Sequence, residues 1–203
     1  MRQHWIDHPT TLTGQIIDLL PLEEEHFDDL LEAASDKRIW EFYVGDWSNP
    51  EKFRRIYTAS LKLRDQGLEY PFVVYHKPSK KIIGSTRFLD IAPYDRRLEI
   101  GGTWYMPQFW GTAVNFDCKL VMLSYCFETL IAHRVQLKTQ HDNIRSRKAI
   151  EKIGGIYEGI IREHMLKDDG SYRSSAYFSI LQEEWEAVKL NLQSRLAALI
   201  PSL

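Results

Sequence analysis

The stretch that decides the fold is WYMPQFWGTAVN, residues 104–115. A strand pattern ends at Met106-Pro107, and a short loop containing Gly111 leads directly into a long helical pattern. A junction of this kind aims unpaired backbone N–H groups and the positive end of a helix dipole at one place. Such a place binds anions, and Gly111 and the small Ala113 would let a diphosphate approach the main chain closely.

Two familiar phosphate-binding motifs are absent from this junction. The sequence contains neither GxxxxGK followed by Ser or Thr, as in nucleotide hydrolases, nor GxGxxG after a strand, as in dinucleotide-binding folds. On the junction alone, a tight turn that binds nothing is an equally good interpretation. The rest of the chain must therefore decide between the two.

The flanking patterns predict one mixed α/β domain spanning residues 1–203. The order of elements is β-α-α-β-β-β-α-β-α-β-β-α, with no linker or repeat that would divide the chain. We expect a terminal extension at residues 1–12 and a C-terminal helix at 183–200. The predicted strands are 15–20, 71–75, 81–89, 98–105, 135–139, 157–166 and 174–181. The other predicted helices are 23–34, one that begins after Asn49-Pro50, 114–130 and 143–153.

Composition narrows the function classes. A net charge of -2 over 203 residues does not favour an extended nucleic-acid surface. No apolar stretch approaches the ~18 residues of a membrane span, and the N-terminus lacks the apolar run of a secretory signal. Neither HExxH nor a Cys/His cluster is present, so no metal is expected. We expect a cytoplasmic protein that binds neither nucleic acid nor membrane.

Two further motifs carry a family resemblance. QFWGTA at 108–113 resembles the Q/R-x-x-G-x-G/A acyl-CoA signature of the GNAT acetyltransferase superfamily. DNIRS at 142–146, followed by KAIEKIG at 148–154, resembles the N-x-x-S…E-K-x-G helix of that superfamily. The combination is most similar to the branch that includes the ribosomal-protein N-terminal acetyltransferases, and the likeness covers nearly the whole chain from Leu19.

The resemblance implies a GNAT-like acyl-CoA N-acyltransferase fold of mixed α/β class. Its central sheet would be mostly antiparallel and seven-stranded, splayed between the fourth and fifth strands, with helices on both faces. Acetyl-CoA would be the co-substrate, with its pantetheine arm in the splay. Arg147 and Lys148 would meet nucleotide phosphates, although both also suit a solvated helix face. The implied cofactor contacts are Trp104, Tyr105, Met106, Trp110, Gly111, Thr112, Ala113, Val114, Asn143, Arg147 and Lys148.

Direct transfer of an acetyl group needs a neutral amine, a stabilised oxyanion and a proton for the thiolate. Glu99 is the candidate base, although an exposed strand carboxylate is the alternative interpretation. Ser146 is the candidate partner of the thiolate, although it could simply cap a helix. A backbone N–H near Met106 would hold the oxyanion. His164 is an alternative base.

The acceptor is expected to be a primary amine, such as a protein N-terminal α-amine. The candidate acceptor-binding residues are Trp40, Tyr43, Arg87 and His164. Two alternatives stay open. One is an enzyme that acetylates a small molecule such as a metabolite, polyamine or antibiotic, and the other is a non-catalytic acyl-CoA sensor. The chain could act as a monomer or a homodimer.

Overall fold

The computed structural model describes residues 4–200, which form one mixed sheet of eight strands. The strands are β1 (Leu12–Thr13), β2 (Ile17–Pro21), β3 (Tyr70–His76), β4 (Lys81–Ala92), β5 (Arg97–Tyr105), β6 (Arg134–Gln140), β7 (Ile156–Leu166) and β8 (Tyr172–Leu181). The order across the sheet is β1-β2-β3-β4-β5-β6-β8-β7. Neighbouring strands are antiparallel except for β5 and β6, which are parallel.

Helices cover both faces of the sheet in this part of the chain. Two of them pack with Val73 and Trp104 on one face, and the other three contribute to a larger core on the opposite face. The helices are α1 (Phe27–Ala33), α2 (Pro50–Asp65), α3 (Val114–Ser124), α4 (Ile144–Lys152) and α5 (Trp185–Leu199). The predicted class, a mostly antiparallel sheet between helices, is confirmed.

The sheet splays where it was expected to. β5 and β6 pair at only three positions, which are Arg97 with Arg134, Leu98 with Val135, and Glu99 with Gln136. Beyond them, β5 continues along β4 and β6 continues along β8, so a gap opens between the two parallel strands. A shift of register between β4 and β5 and the φ of +56° at Gly102 mark a bulge beside that gap.

Two details differ from the sequence-based expectation. The sheet has eight strands and not seven, because Leu12 and Thr13 pair with β2 at its edge. A two-residue strand is too short to show an alternating pattern. The helix predicted over 114–130 is regular only to Ser124 and then continues as a π-helical turn, Tyr125–Thr129.

Both ends of the described chain pack on the core. Within the predicted terminal extension, Ile6 is buried and the backbone N–H of Thr10 donates to Tyr70 Oη at 2.8 Å. Residues 1–3 lie outside the described residues. At the other end, Trp185 of α5 is buried and its Nε1 donates to Glu128 at 2.8 Å.

Candidate active site

The loop before α3 carries three free backbone amides. The N–H groups of Phe109 and Trp110 bond back to the carbonyls of Met106 and Pro107. The next three N–H groups, at residues 111–113, find no backbone acceptor within residues 4–200. They stand at the N-terminus of an eleven-residue helix, where the helix dipole adds positive potential. The loop therefore presents unpaired N–H groups at the start of a helix, and anion binding by these groups stays a prediction.

Gly111 leaves room for a ligand at this loop. Its φ is +74°, and apart from Gly111 and its two sequence neighbours no atom of the described chain lies within 4 Å of the position that a Cβ would occupy. The hydroxyl of Thr112 donates to the Phe109 carbonyl at 2.8 Å, which fixes the turn. The three free amides of the loop are therefore open to a ligand.

The edge of β5 that faces the gap is identified by two side-chain contacts. Tyr43 Oη donates to the Thr103 carbonyl at 2.7 Å, and Trp110 Nε1 donates to the Tyr105 carbonyl at 2.9 Å. These carbonyls point away from β4, so the N–H groups of the same two residues point towards the gap. The Met106 N–H, in contrast, donates to the Ile83 carbonyl at 2.8 Å. The Met106 N–H itself is thus already bonded, and an oxyanion donor near Met106, such as the Tyr105 N–H, stays a prediction.

Sequence reasoning missed a cation that lies beside the loop before α3. The guanidinium carbon of Arg145 is 3.9 Å from the centre of the Trp110 ring. Of the two expected phosphate contacts, Arg147 donates to the His141 carbonyl and lies 5.3 Å from the Tyr157 ring, towards β7. Lys148 is exposed. Arg145 and Lys148 are three residues apart on one face of α4, a spacing that could have indicated Arg145.

Asn143 and Ser146 occupy the start of α4. Asn143 is 8 % exposed, and its Oδ1 accepts the backbone N–H of Ser146 at 3.0 Å as the cap of the helix. Its amide nitrogen remains available for a ligand. The capping role therefore belongs to Asn143. Ser146 is half-buried, and its hydroxyl has no protein partner within the described residues.

Glu99 is buried and not exposed. It is the last residue of β5 that pairs with β6, and it is 1 % exposed. Its Oε2 accepts a hydrogen bond from Gln136 Nε2 at 3.0 Å and lies 3.0 Å from Lys138 Nζ. Its other oxygen lies against Gly101, where an added Cβ would be 2.7 Å away. The candidate base thus sits at the apex of the gap, held by a lysine that the sequence analysis did not single out.

Further polar groups continue along this face of β6 and β8. Lys138 is opposite Tyr177 in the sheet register, and its Nζ lies 5.8 Å from the centre of the Tyr177 ring. Tyr177 Oη is 3.4 Å from His164 Nε2. The alternative base His164 therefore lies at the far end of a series of contacts that runs from Glu99 through Lys138 and Tyr177. Partial burial lowers the pKa of His164, and the charges of Lys138 and Arg173 lower that pKa further.

The segment between α1 and α2 forms the wall above the gap. Trp40 is 3 % exposed, donates its Nε1 to the Ala34 carbonyl and packs on Trp104 at 5.2 Å, so it shapes the wall through packing. Tyr43 is only partly covered and reaches β5 through the Thr103 carbonyl. Burial raises the pKa of the Tyr43 phenol, and the nearby charge of Arg87 acts in the opposite direction.

Arg87 lies beneath the bulge. Its side chain packs against Gly102, where an added Cβ would lie 2.9 Å from Nε. Its Nη1 donates to Ser60 Oγ at 2.8 Å and pairs with Glu69 at 3.1 Å. The Nε atom is buried and has no partner within the described residues. Arg87 therefore supports the floor of the cleft and keeps one donor unused.

The turn between β7 and β8 contacts the wall segment and α2. We call this contact the bridge, and it consists of residues 44–45, 52 and 168. The Asp168 N–H donates to the Val44 carbonyl at 2.8 Å, and the Asp168 carboxylate pairs with Lys52 at 2.7 Å. Gly45 lies so close that an added Cβ would be 2.7 Å from the same carboxylate. Because Tyr43 bonds to β5, the bridge completes a ring of contacts around the gap.

Sequence reasoning also missed Lys119, a buried basic residue of α3 that lies on the face of the sheet opposite Glu99. It is 5 % exposed, and its Nζ donates to Thr103 Oγ1 at 2.7 Å. Thr103 in turn lies 2.7 Å from Thr86 Oγ1. The ammonium forms no ion pair with another described residue, and burial lowers its pKa.

Within residues 4–200, no three His, Cys, Asp or Glu side chains converge so as to hold a metal ion. No helix in that range is long and apolar enough to cross a membrane.

Several known proteins are similar to this chain in fold or in sequence. A GCN5-related N-acetyltransferase from Brucella melitensis superposes with a TM-score of 0.86 at 26% identity, over 94% of this chain and 87% of that one. RimJ of Mycobacterium smegmatis, solved in complex with CoA-disulfide, has a TM-score of 0.78 at 19% identity, over 93% and 95% of the two chains. The second likeness concerns the fold alone.

The sequence comparisons agree. "Putative ribosomal N-acetyltransferase YdaF" of Bacillus subtilis is 26% identical over 180 residues, which are 84% of this chain and 92% of that protein. Residues 17–156, more than half of the chain, match the family described as acetyltransferase (GNAT) domain. The chain therefore belongs to the GNAT family of N-acetyltransferases and is an acyltransferase.

Proposed function

We propose that the protein transfers an acetyl group from acetyl-CoA to a primary amine, by direct attack within a ternary complex. The observation that carries this proposal is the gap between β5 and β6 beside the three free amides of residues 111–113. When bound, acetyl-CoA would supply the thioester carbonyl that the amine attacks. Its diphosphate would lie on the amide loop, with Asn143 and Arg145 nearby.

The residues around the gap then have separate tasks. Glu99, at its apex, would take the proton of the amine through water, while Lys138 holds the carboxylate in place. The free N–H groups of residues 103 and 105 would donate to the pantetheine or to the oxyanion. The unpartnered hydroxyl of Ser146 would donate to the departing thiolate. Burial of the site strengthens each of these interactions.

We propose the N-terminal α-amine of a protein as the acceptor. Deprotonating a lysine at pH 7 costs about 5 kcal/mol, because its pKa is near 10.4, whereas an α-amine costs about 1 kcal/mol. The α-amine therefore places the smaller demand on the base. The ribosomal N-acetyltransferase named among the relatives supports the same choice.

The test is acetyl transfer by the purified full chain. Release of coenzyme A thiol is followed with acetyl-CoA and peptides, free amino acids, polyamines and aminoglycosides. Turnover with N-terminal peptides, lost when their α-amine is blocked, is the expected result. Turnover confined to one of the small-molecule classes would replace the protein acceptor with that class. No turnover on any of them would contradict the transferase proposal.

One observation favours a second candidate, a non-catalytic acyl-CoA sensor. The carboxylate of Glu99 is already bonded to Gln136 and Lys138, and a sensor needs no free base. Thiol release separates the two functions. A sensor would bind acetyl-CoA in a calorimetric titration and release no thiol with any acceptor, whereas the transferase would bind acetyl-CoA and also release thiol.

A further inference from the structure

Three basic side chains face the acceptor side of the cleft, and two of them have carboxylate partners within the described residues. Arg87 pairs with Glu69, and Lys138 pairs with Glu99. The third, Arg173, forms no ion pair with any residue in the range 4–200. Arg173 is therefore the member of the three that a carboxylate of the acceptor could pair with.

The sheet register places Arg173 on the same face as Glu99. Its Nε donates to Ser175 Oγ at 3.0 Å, and Ser175 is fully buried opposite Gln140, the last residue of β6. Alternate residues of a strand share a face, so Arg173 also lies on the side of Tyr177. The single bond through Nε fixes the side chain and leaves both terminal nitrogens of the guanidinium free.

No carboxylate among residues 4–200 forms a hydrogen bond or ion pair with Arg173. Burial lowers the pKa of its guanidinium, and Tyr43, Glu99, Tyr177 and Asp142 oppose that effect without bonding to the group. A guanidinium stays protonated in proteins, so the charge persists. A half-buried cation without an anion is unfavourable unless a ligand supplies one. Arg87 Nε, also on this face, is a second buried donor without a partner in the described part of the chain.

We propose that the acceptor carries a carboxylate close to its amine, and that Arg173 binds this carboxylate. The proposal rests on the transferase function. A guanidinium with two free nitrogens binds a carboxylate through two parallel hydrogen bonds, which orients the acceptor as well as attracting it. The carboxylate has two possible sources. It is either the side chain of the second residue of a protein N-terminus or the α-carboxylate of a small amino acid or dipeptide.

The experiment compares acceptors that differ only in charge. Seryl-aspartyl, seryl-asparaginyl and seryl-lysyl dipeptide amides test the side-chain source, and seryl-alanine with a free or an amidated C-terminus tests the terminal source. We expect kcat/KM to fall by about tenfold or more from the anionic to the cationic member of a series, since a charge-assisted pair is lost. Equal rates within both series, or a preference for the cationic acceptor, would overturn the proposal.

Variants assign the effect to Arg173. Arg173→Gln should remove the preference by raising the KM of the anionic acceptors alone, and Arg173→Glu should reverse it. Arg173→Lys should restore part of it. The matched control is Arg195→Gln on α5, an exposed arginine whose loss changes the net charge equally. A preference that persists in Arg173→Gln, or a loss of acetyl-CoA affinity in place of acceptor preference, would contradict the assignment.

Binding separates this proposal from the transferase function. Calorimetry of the coenzyme A-loaded protein with the same dipeptide amides gives a result even if no acetyl group is transferred. Tighter binding of the seryl-aspartyl amide that is lost in Arg173→Gln supports the anion site alone. Transfer to all acceptors at equal rates supports the transferase alone.

Discussion

Oε2 of Glu99 and Nζ of Lys138 lie 3.0 Å apart at the point where β5 and β6 separate. Glu99 is the last residue of β5 that pairs with β6, and Lys138 lies on β6 two residues beyond the partner of Glu99. The carboxylate is therefore fixed at the apex of the gap and faces the acceptor side of the sheet.

Replacing Glu99 by Gln should lower kcat by about 10²- to 10⁴-fold, the usual effect of losing a general base. Acetyl-CoA affinity should stay within about twofold, since the amide loop is untouched. Steady-state thiol release and calorimetry measure the two effects. The control is Glu158→Gln, a carboxylate that pairs with Arg134 farther from the gap. Equal losses in both variants would exclude a specific role for Glu99.

Gly111→Ala should weaken acetyl-CoA binding by about tenfold or more, because a Cβ would occupy the space beside the free amides and a φ of +74° disfavours side chains. Gly170→Ala is the matched control, since its φ is +82° and its surroundings are equally open, but it lies in the β7–β8 turn. Both variants should lose about 1–2 kcal/mol of stability. Only the first should lose affinity in a calorimetric titration.

Ser146→Ala should lower kcat and leave the melting temperature unchanged, because Asn143 and not Ser146 caps α4. Asn143→Ala should lower the stability by about 1 kcal/mol, as the loss of a cap does. Thermal melting and steady-state kinetics of the two variants separate the roles. A destabilised Ser146→Ala protein with normal kcat would mean that the serine serves the helix alone.

Lys119→Met should stabilise the protein at neutral pH by about 1–3 kcal/mol, since it removes a buried, unpaired ammonium and fills the same space. Thr103 would keep its bond to Thr86. Urea unfolding measures the difference, with the exposed Lys62→Met as control.

The same variant carries a pH prediction with a definite sign. Burial lowers the pKa of Lys119, so the unfolded chain binds more protons between the folded-state pKa and the ordinary value of 10.5. Wild-type stability therefore gains a contribution as pH rises through that window. The advantage of Lys119→Met should shrink as the pH approaches 10.5. An advantage that grows with pH would contradict the assignment.

The local structure of the loop at residues 104–115 was predictable from the sequence. A strand followed by a glycine loop and a helix leaves backbone amides free at the helix start. Asn143 was singled out by the resemblance of its motif to the N-x-x-S helix, and the structure adds that it caps α4. Arg145 shares a face of α4 with Lys148, but only the structure shows that it lies against Trp110.

The acceptor side could not be predicted to the same depth, since it depends on pairings between distant segments. Lys138 meets Glu99 only because β6 lies beside β5, and Arg173 faces the cleft only because β8 inserts between β6 and β7. The alternation within each strand gives two possible faces. Sheet order and register decide between the two faces, and a local motif predicts neither of them.

The bridge through Asp168 has a consequence for the shape of acceptable substrates. Since Tyr43 bonds to β5 and Val44 bonds to the β7–β8 turn, these contacts form an unbroken hoop around the gap. A polypeptide cannot be laid sideways into a closed hoop as it can into an open trough. If the acetyl group lies in the gap, as we propose, we expect only a loose chain end or a compact molecule to reach the reacting carbon.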